Sequence, residues 1–224
     1  VKMLHSKENL KKLQTRRETT KGQDFLKTIK ETHCYLSNLL FKKVVSKFFN
    51  SKDQLSEDHI DLRGIPLVGF DFRVAVKEED EGFSENMAIL TNIHFEGATL
   101  KHCNFEDGKI HNCDFEDSNL AHCNFKNSTL INCDFTNADL TGVNLLGAKL
   151  INCNFENATI KDVGLSTTAV DEKTDFGKPL KSEKEKNYNA AAIEYKQIKE
   201  MYKSSSLHGQ ADEYHYREMV CKRK

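Results

Sequence analysis

Five of the seven cysteines recur at a spacing that could support thiol chemistry. Cys103, Cys113, Cys123 and Cys133 are ten residues apart, and Cys153 follows twenty residues later. Cys113, Cys133 and Cys153, which are twenty residues apart, could form a metal or redox ladder. Between residues 88 and 165, Ala, Ser, Val and Gly recur at multiples of five residues from these cysteines. This pattern favours a second interpretation, in which each cysteine is a small buried apolar residue. We therefore predict reduced thiols that bind no metal, as in a reducing cytoplasm.

Histidines are the next candidates for chemistry, because the imidazole ring is a common metal ligand. His102 and His122 are twenty residues apart, whereas His94 and His111 fall at other positions of the pattern. A zinc site built on two stacked histidines needs a third ligand, and the spacing fixes none. We predict that these histidines lie on the surface and that the chain has no metal site and no cofactor.

Residues arranged for catalysis are not evident in the sequence. The chain has no nucleophile elbow, no phosphate-binding glycine loop and no Cys/His set with zinc spacing. Its polar residues recur at regular intervals, whereas catalysis depends on residues at singular positions. We predict that the chain is not an enzyme and has no catalytic residues.

The element that positions all of these residues is a repeat of five between about residues 88 and 165. Each unit has one large apolar residue, preceded two positions earlier by a mostly small one. A period of five fits neither a helix nor a strand, and is typical of a chain that turns a corner every five residues and stacks coil on coil. The large residues, which we predict to form the core, are Leu90, Phe95, Leu100, Phe105, Ile110, Phe115, Leu120, Phe125, Leu130, Phe135, Leu140, Leu145, Leu150, Phe155, Ile160 and Leu165.

The repeat resembles that of the pentapeptide-repeat proteins, whose unit reads roughly A-(D/N)-L-x-x. Residues 138–142, Ala-Asp-Leu-Thr-Gly, are close to this ideal form, and sixteen consecutive units match it. The resemblance implies a β-solenoid, a right-handed quadrilateral β-helix with twenty residues per coil. Sorting the large residues by twenties gives one column of phenylalanines only, which fits ring stacks inside a square of about five coils. Asn92, Asn112, Asn132 and Asn152 also form one column, which predicts an amide ladder at a corner where asparagine tolerates a left-handed backbone.

The chain up to residue 168 divides into an N-terminal region and the β-helix with its insertion. Residues 1–58 contain an amphipathic helical pattern with thirteen basic and seven acidic residues, and we predict a helical cap, with a partner-binding or membrane-surface helix as the alternative. Residues 59–168 are expected to form the β-helix, opened by a coil centred on Leu62, Leu67 and Phe72. An acidic loop is predicted as an insertion at residues 73–86.

After the repeat we predict a linker at residues 169–182 and a helical hairpin at residues 183–224. The hairpin is similar to a single degenerate tetratricopeptide-type unit, although the turn glycine and final proline of that family are not in place. A lone unit has no siblings on which to stack, so it packs on the β-helix or docks a partner. The candidate protein-binding residues, rich in aromatic rings, are Tyr195, Tyr202, Tyr214, Tyr216 and Arg217.

Two classes of function fit this organisation. The first is a non-enzymatic protein-interaction scaffold, with an unidentified protein partner bound mainly at the helical ends, where a homodimer could also form. The second, implied by the resemblance to quinolone-resistance relatives, is imitation of DNA to bind a type II topoisomerase. Residues 88–165 carry ten acidic residues and five lysines, and we interpret the carboxylates on each side of the rod as diluted by Asn, Thr, Lys and aliphatic residues. Glu96, Glu116 and Glu156 share one column and predict an acidic stripe. The net charge of −1 and the lack of a long apolar run predict no nucleic-acid partner, no membrane span and a cytoplasmic protein.

Overall fold

The protein is described from a computed structural model, which covers residues 60–62, 67, 72, 74–77, 84–87 and 89–224. The predicted N-terminal cap, residues 1–58, lies outside the described residues. The described strands are β1 (Ile60–Asp61), β2 (Val74–Lys77), β3 (Ser84–Met87), β4 (Ile89–Thr91), β5 (Ile93–His94), β6 (Lys109–His111), β7 (Thr129–Ile131), β8 (Lys149–Ile151) and β9 (Ala169–Val170).

The repeat folds as stacked coils of twenty residues. Strands β4, β6, β7, β8 and β9 form one parallel sheet, in which Leu90, Ile110, Leu130, Leu150 and Val170 lie in register. The other three sides of the square are joined by isolated parallel bridges, also twenty residues apart through most of the rod. The predicted β-solenoid is therefore confirmed.

The interior of the square is filled by the residues that the period of five selects. All sixteen large residues of the repeat are buried, and so are the fifteen described residues that lie two positions before Phe95 to Leu165. On one side, Phe95, Phe115, Phe135 and Phe155 stack with ring centroids 4.8–5.0 Å apart. On the next phenylalanine column, Phe105 and Phe125 stack at 4.5 Å. This spacing matches the distance between hydrogen-bonded strands, so each ring rests on the ring of the adjacent coil.

The corners explain why the outward positions are rich in Asn, Asp and Gly. The second residue after each large one has a positive φ, as in Asn112 at 53° and Asp117 at 56°. Asn and Asp adopt this left-handed conformation at less cost than most residues because their side chains bond locally. The predicted amide ladder is present: Asn112 donates to Asn92 at 3.0 Å, Asn132 to Asn112 at 2.9 Å, and Asn152 to Asn132 at 2.8 Å.

The first coil is interrupted by a hairpin. The backbone amides of Leu62, Leu67 and Phe72 donate to carbonyls of the following coil at 2.8–2.9 Å, and the Phe72 ring stacks on Phe105 at 4.5 Å. The insertion that the sequence predicts as an acidic loop contains two paired strands, since β2 and β3 are antiparallel. The acidic segment between them, residues 78–83, lies outside the described residues.

Residues 169–180, which the sequence assigns mainly to a linker, continue the solenoid. Strand β9 pairs with β8, Asp175 bridges to Asn154, and Phe176 stacks on Phe155 at 4.6 Å. Phe176 follows Phe155 by twenty-one residues, so this coil holds one extra residue and falls out of the period of five that marks the rest. That offset hides the last coil from a pattern search.

Three helices close the C-terminal end of the rod: α1 (Lys181–Lys184), α2 (Tyr188–Ser204) and α3 (His208–Lys222). The predicted hairpin is present as α2 and α3. Tyr202 donates its hydroxyl to the Thr174 carbonyl in the last coil, and its ring meets Phe176 edge-on at 6.5 Å. The backbone amide of Val170 donates to Ser205 at 3.1 Å. The hairpin therefore packs on the last coil and covers the rings at that end.

A buried charge network joins the two long helices. Lys199 on α2 donates to Glu218 on α3 at 2.8 Å, and both side chains are at least nine-tenths buried. Burial alone would raise the pKa of Glu218, but hydrogen bonds from Lys199, Lys222 and His215 outweigh it and lower the pKa to about 2. The carboxylate thus stays ionised inside the cap, where it holds α3 against α2.

Candidate functional site

The aromatic residues proposed for docking are mostly used inside the cap. Tyr195, Tyr202 and Tyr214 are at most 1% exposed, and the rings of Tyr202 and Tyr214 stack at 5.2 Å. Tyr195 accepts the backbone amide of Leu180 at 2.9 Å. These three residues are packed against the rod and are not accessible in this arrangement.

Two of the five predicted docking residues remain at the surface. Tyr216 is 68% exposed on the outer side of α3. Arg217 is about one-third exposed and lies 3.4 Å from Glu183, an ion pair that ties α3 to α1. On α2, Ile193 is 63% exposed. The outer surface of the hairpin therefore offers isolated apolar side chains, in contrast to the aromatic cluster expected from the sequence.

The charges of the rod are distributed unequally among its four sides. One side is made by residues 94–97, 114–117, 134–137 and 154–157, the segments around the stacked phenylalanines. We call these segments the acidic face. It holds six of the ten carboxylates of residues 88–165 and no Lys or Arg: Glu96, Asp114, Glu116, Asp117, Asp134 and Glu156.

The five lysines of the same stretch all lie on the other three sides. Lys109 and Lys149 are the first residues of strands β6 and β8. Lys101 and Lys161 lie on the side that follows the acidic face, and Lys126 lies on the side after that. Lys126 is 3.3 Å from Glu106 on its own side. On the acidic face the carboxylates are therefore diluted by Asn and Thr but not by lysine, and the acidic stripe of Glu96, Glu116 and Glu156 lies on this face.

Three side chains converge at the N-terminal end of the acidic face. His94 and Glu96 flank Phe95 on one coil, and Asp114 lies beside them on the next, opposite His94 in the parallel bridge. Nδ1 of His94 is 3.1 Å from Oε1 of Glu96, and one ligand atom from each of the three residues lies within 4.8 Å of the others. In the part of the chain that the structure describes, this is the one group of three potential metal ligands.

Burial and mutual repulsion mark the electrostatics of this group. The Glu96 side chain is only 9% exposed, and that of His94 is 22% exposed. Burial and the adjacent Glu96 charge raise the pKa of Asp114 to about 7, with Asp134 one coil away adding to the effect. An imidazole nitrogen beside two partly buried carboxylates is a donor set that suits a divalent transition metal.

The other histidines and the cysteines lie apart from this group. His102 and His122 stack with ring centroids 5.2 Å apart on the exposed surface, as predicted. The five repeat cysteines are buried and unbridged, and they point their sulfur atoms at backbone carbonyls, as Cys123 does to Leu100 at 2.8 Å. Burial raises the pKa of Cys113 to about 12, which keeps the thiol protonated and unreactive.

The register of twenty residues places this group, although we predicted no metal site from the sequence. Residues 94 and 114 are twenty apart, and residue 96 is two positions from residue 94 on the same side of the square. Sorting the outward positions by twenties, as was done for the core, brings His94 and Asp114 into one column and Glu96 beside them. What the spacing could not supply is the burial of Glu96.

Comparison with known proteins supports the fold of the repeat. Residues 88–166 match the family model described as the pentapeptide repeat region. Among curated protein sequences, none matches the chain significantly. No helix within the described residues is long and apolar enough to cross a membrane.

Several solved structures are similar to the solenoid. HetL, a pentapeptide repeat protein involved in heterocyst differentiation regulation from the cyanobacterium Nostoc sp. strain PCC 7120, is 20% identical, with coverage of 48% of this chain and 46% of that one and a TM-score of 0.42. The pentapeptide repeat protein alr5209 of Nostoc PCC 7120 is 27% identical over 41% of this chain and 79% of its own, with a TM-score of 0.28. QnrB1, a plasmid-mediated fluoroquinolone resistance protein, is 17% identical over 49% and 52%, with a TM-score of 0.27. The match spans about half the length of HetL.

Proposed function

We propose that the pentapeptide-repeat β-helix of residues 88–166 is a non-enzymatic scaffold that binds a protein partner through its acidic face. The observation that carries this proposal is the separation of charge within residues 88–165: six carboxylates and no Lys or Arg in the segments of the acidic face, and all five lysines on the other three sides. Outside this stretch, Lys184 of α1 reaches the C-terminal end of the face, where it donates to Asn157 at 3.5 Å. Stacked coils make this surface rigid, so its charges are held in place before a partner arrives. A partner with a basic surface or segment is the complement of such a face.

The acidic face is a better candidate than the helical end because of what each exposes. Hot spots for binding are usually aromatic or Arg side chains grouped in one patch. At the C-terminal end, three of the five residues of this kind are buried against the coil. The acidic face, in contrast, presents Asp117 and Glu156 at exposed positions and Asp134 at a partly exposed one.

Imitation of DNA is the second candidate, and the charge density argues against it. Four coils at about 4.8 Å each give a face roughly 19 Å long. Duplex DNA of that length carries about eleven charges, at one per 1.7 Å of axis, whereas the acidic face carries six carboxylates. The hairpin also covers the C-terminal coil, which removes one end for the end-to-end dimer of the quinolone-resistance type.

Two triple variants test the proposal, and each removes three negative charges from a different part of the rod surface. Asp117→Asn, Asp134→Asn and Glu156→Gln together neutralise half of the acidic face. Asp107→Asn, Asp139→Asn and Asp162→Asn remove the same number of charges from the other sides. Three exposed ion pairs contribute about 0.2–1 kcal/mol each, so the first variant should bind a partner about 3- to 150-fold more weakly and with less salt dependence.

Partner capture from the native host, followed by affinity measurement with the purified partner, provides the readout. We expect the intact chain and the second variant to bind equally. A third variant, Ile193→Ser with Tyr216→Ser, tests the helical surface in the same assay. Loss of binding only in this third variant would move the site to the hairpin, and inhibition of gyrase supercoiling at low micromolar protein would favour the DNA-mimic alternative.

Because unbridged thiols persist in a reducing compartment, we also propose a cytoplasmic location.

A further inference from the structure

We propose that His94, Glu96 and Asp114 form a binding site for one zinc ion at the N-terminal end of the acidic face. The site goes beyond the scaffold function, and its test does not depend on a protein partner. It uses one residue on each side of Phe95 and a third from the next coil, so a bound ion would cross-link two adjacent coils.

The geometry needs little adjustment. Ligands of a four-coordinate zinc with bonds of about 2.0–2.2 Å lie roughly 3.4 Å apart. The His94 nitrogen and Glu96 oxygen are already 3.1 Å apart, and the most distant pair in the group is within 4.8 Å. Rotation of the Asp114 carboxyl group can close the remaining distance, because the two coils hold its backbone beside that of His94.

The donor set selects zinc over the common hard cations. One imidazole nitrogen and two carboxylate oxygens are typical zinc ligands, whereas calcium takes six to eight oxygens and magnesium keeps several waters. Three protein ligands also leave a fourth position for water or for a group from a partner.

The fold itself supplies conservative variants for the test. At the position before the large residue, Asp114 accepts the backbone amide of Glu116 through Oδ1 at 2.9 Å. Asn154 does the same for Glu156 at 3.0 Å, so an asparagine fits this slot without loss of the turn. Asp114→Asn therefore removes a charged ligand and keeps the turn bond. His94→Asn places an asparagine in the same slot and removes the imidazole ligand together with its contact to Glu96. Asp139→Asn is the matched control, because Asp139 makes the equivalent bond to Thr141 at 3.0 Å on another side.

Titration calorimetry with zinc chloride on the reduced, chelator-treated intact chain measures the site. We expect one equivalent of zinc bound by the intact chain and by Asp139→Asn, with a rise in the unfolding temperature on addition of zinc. His94→Asn and Asp114→Asn should each weaken zinc at least about tenfold and abolish that rise, since loss of even an outer-shell partner costs about 10- to 100-fold. Excess magnesium should not displace the ion.

Two results would overturn the proposal. One is the absence of stoichiometric zinc binding by the intact chain. The other is binding that both ligand variants retain at full affinity, which would assign the ion to the thiols or to the general negative charge. Circular dichroism without metal establishes that the variants are folded. If either is not, Glu96→Gln, which keeps the shape of the buried side chain, takes its place with the same expected loss.

Discussion

Replacement of Phe115 by Ala tests whether the stacked rings hold the solenoid together. The Phe115 side chain is fully buried, and its ring lies 5.0 Å from Phe95 and 4.9 Å from Phe135, nearly parallel to both. Phe105 and Phe125 meet it edge-on, each at 6.4 Å. Removing a buried phenylalanine side chain costs about 3–5 kcal/mol, and each aromatic pair contributes about 0.5–1.5 kcal/mol beyond its area.

The value expected for this site is at the high end of that range, about 5 kcal/mol. The cavity cannot collapse easily, because the hydrogen bonds of the coils above and below keep the four sides of the square apart. A domain of this size has a free energy of unfolding of about 5–15 kcal/mol, so the variant should lose between a third and all of its stability. Urea denaturation followed by circular dichroism measures the difference.

Phe115→Leu is the control for the same position. Leucine occupies the large inward slot at Leu145 and Leu165 of a neighbouring column and fills most of the volume. We expect a loss of about 1.5 kcal/mol. If the alanine variant loses less than about 2 kcal/mol, the buried ring is not what stabilises the rod. A leucine variant that loses nothing would assign the stability to filled volume alone, whereas one that loses as much as the alanine variant would assign it to the ring contacts.

Three shorter predictions concern the cap, the thiols and one corner. The Glu218 contribution to stability is complete above pH 4.5 and is lost as the pH falls through about 2, so Glu218→Gln should flatten the acid unfolding of the hairpin over that range; an unchanged curve contradicts the assigned network. The five repeat cysteines should react with a disulfide reagent only after denaturation, whereas rapid reaction of the native chain would mean that the coils open readily. Gly142→Ala should cost about 2 kcal/mol, because its Cβ would meet the His122 ring at 2.4 Å at a φ of +66°; addition of His122→Ala should recover about half, and a double-mutant cycle with no coupling would argue against the clash.

The core residues were predictable because every coil requires the same sizes of side chain at the same positions. A narrow square interior accepts one large and one small residue from each side, and the sequence shows that requirement sixteen times. The corner asparagines were predictable for a similar reason, since each of them needs a left-handed backbone. Repetition lets many weak local preferences add up to one assignment.

The predictions were weaker where the repetition stops. Phe176 is displaced by one residue from the period, so the sequence suggested a linker where the structure has a coil. The tyrosines of the hairpin looked like docking residues because composition alone does not distinguish an exposed ring from one that covers a coil end. The hydroxyl of Tyr202 donates to the Thr174 carbonyl in the last coil, so this ring covers the coil end. The contact depends on a coil that the sequence did not reveal.

The acidic face shows a third limit. Net charge over residues 88–165 averages four different surfaces, and the average hides that the lysines avoid one of them. One outward column, that of Glu96, Glu116 and Glu156, already indicates an acidic stripe, but Asp114, Asp117 and Asp134 lie in other columns of the same side. The side to which a charge belongs was determined by the same register as the core.

The twenty-residue register also makes chain length a means of orienting surfaces. In this fold an insertion of twenty residues within the rod would move the C-terminal hairpin about 4.8 Å along the axis and leave it aligned with the acidic face. An insertion of five would instead add one side of the square and turn everything downstream through a quarter revolution. The angle between the acidic face and the C-terminal hairpin therefore changes in steps of 90° when whole repeat units are added. The residues that form either surface need not change.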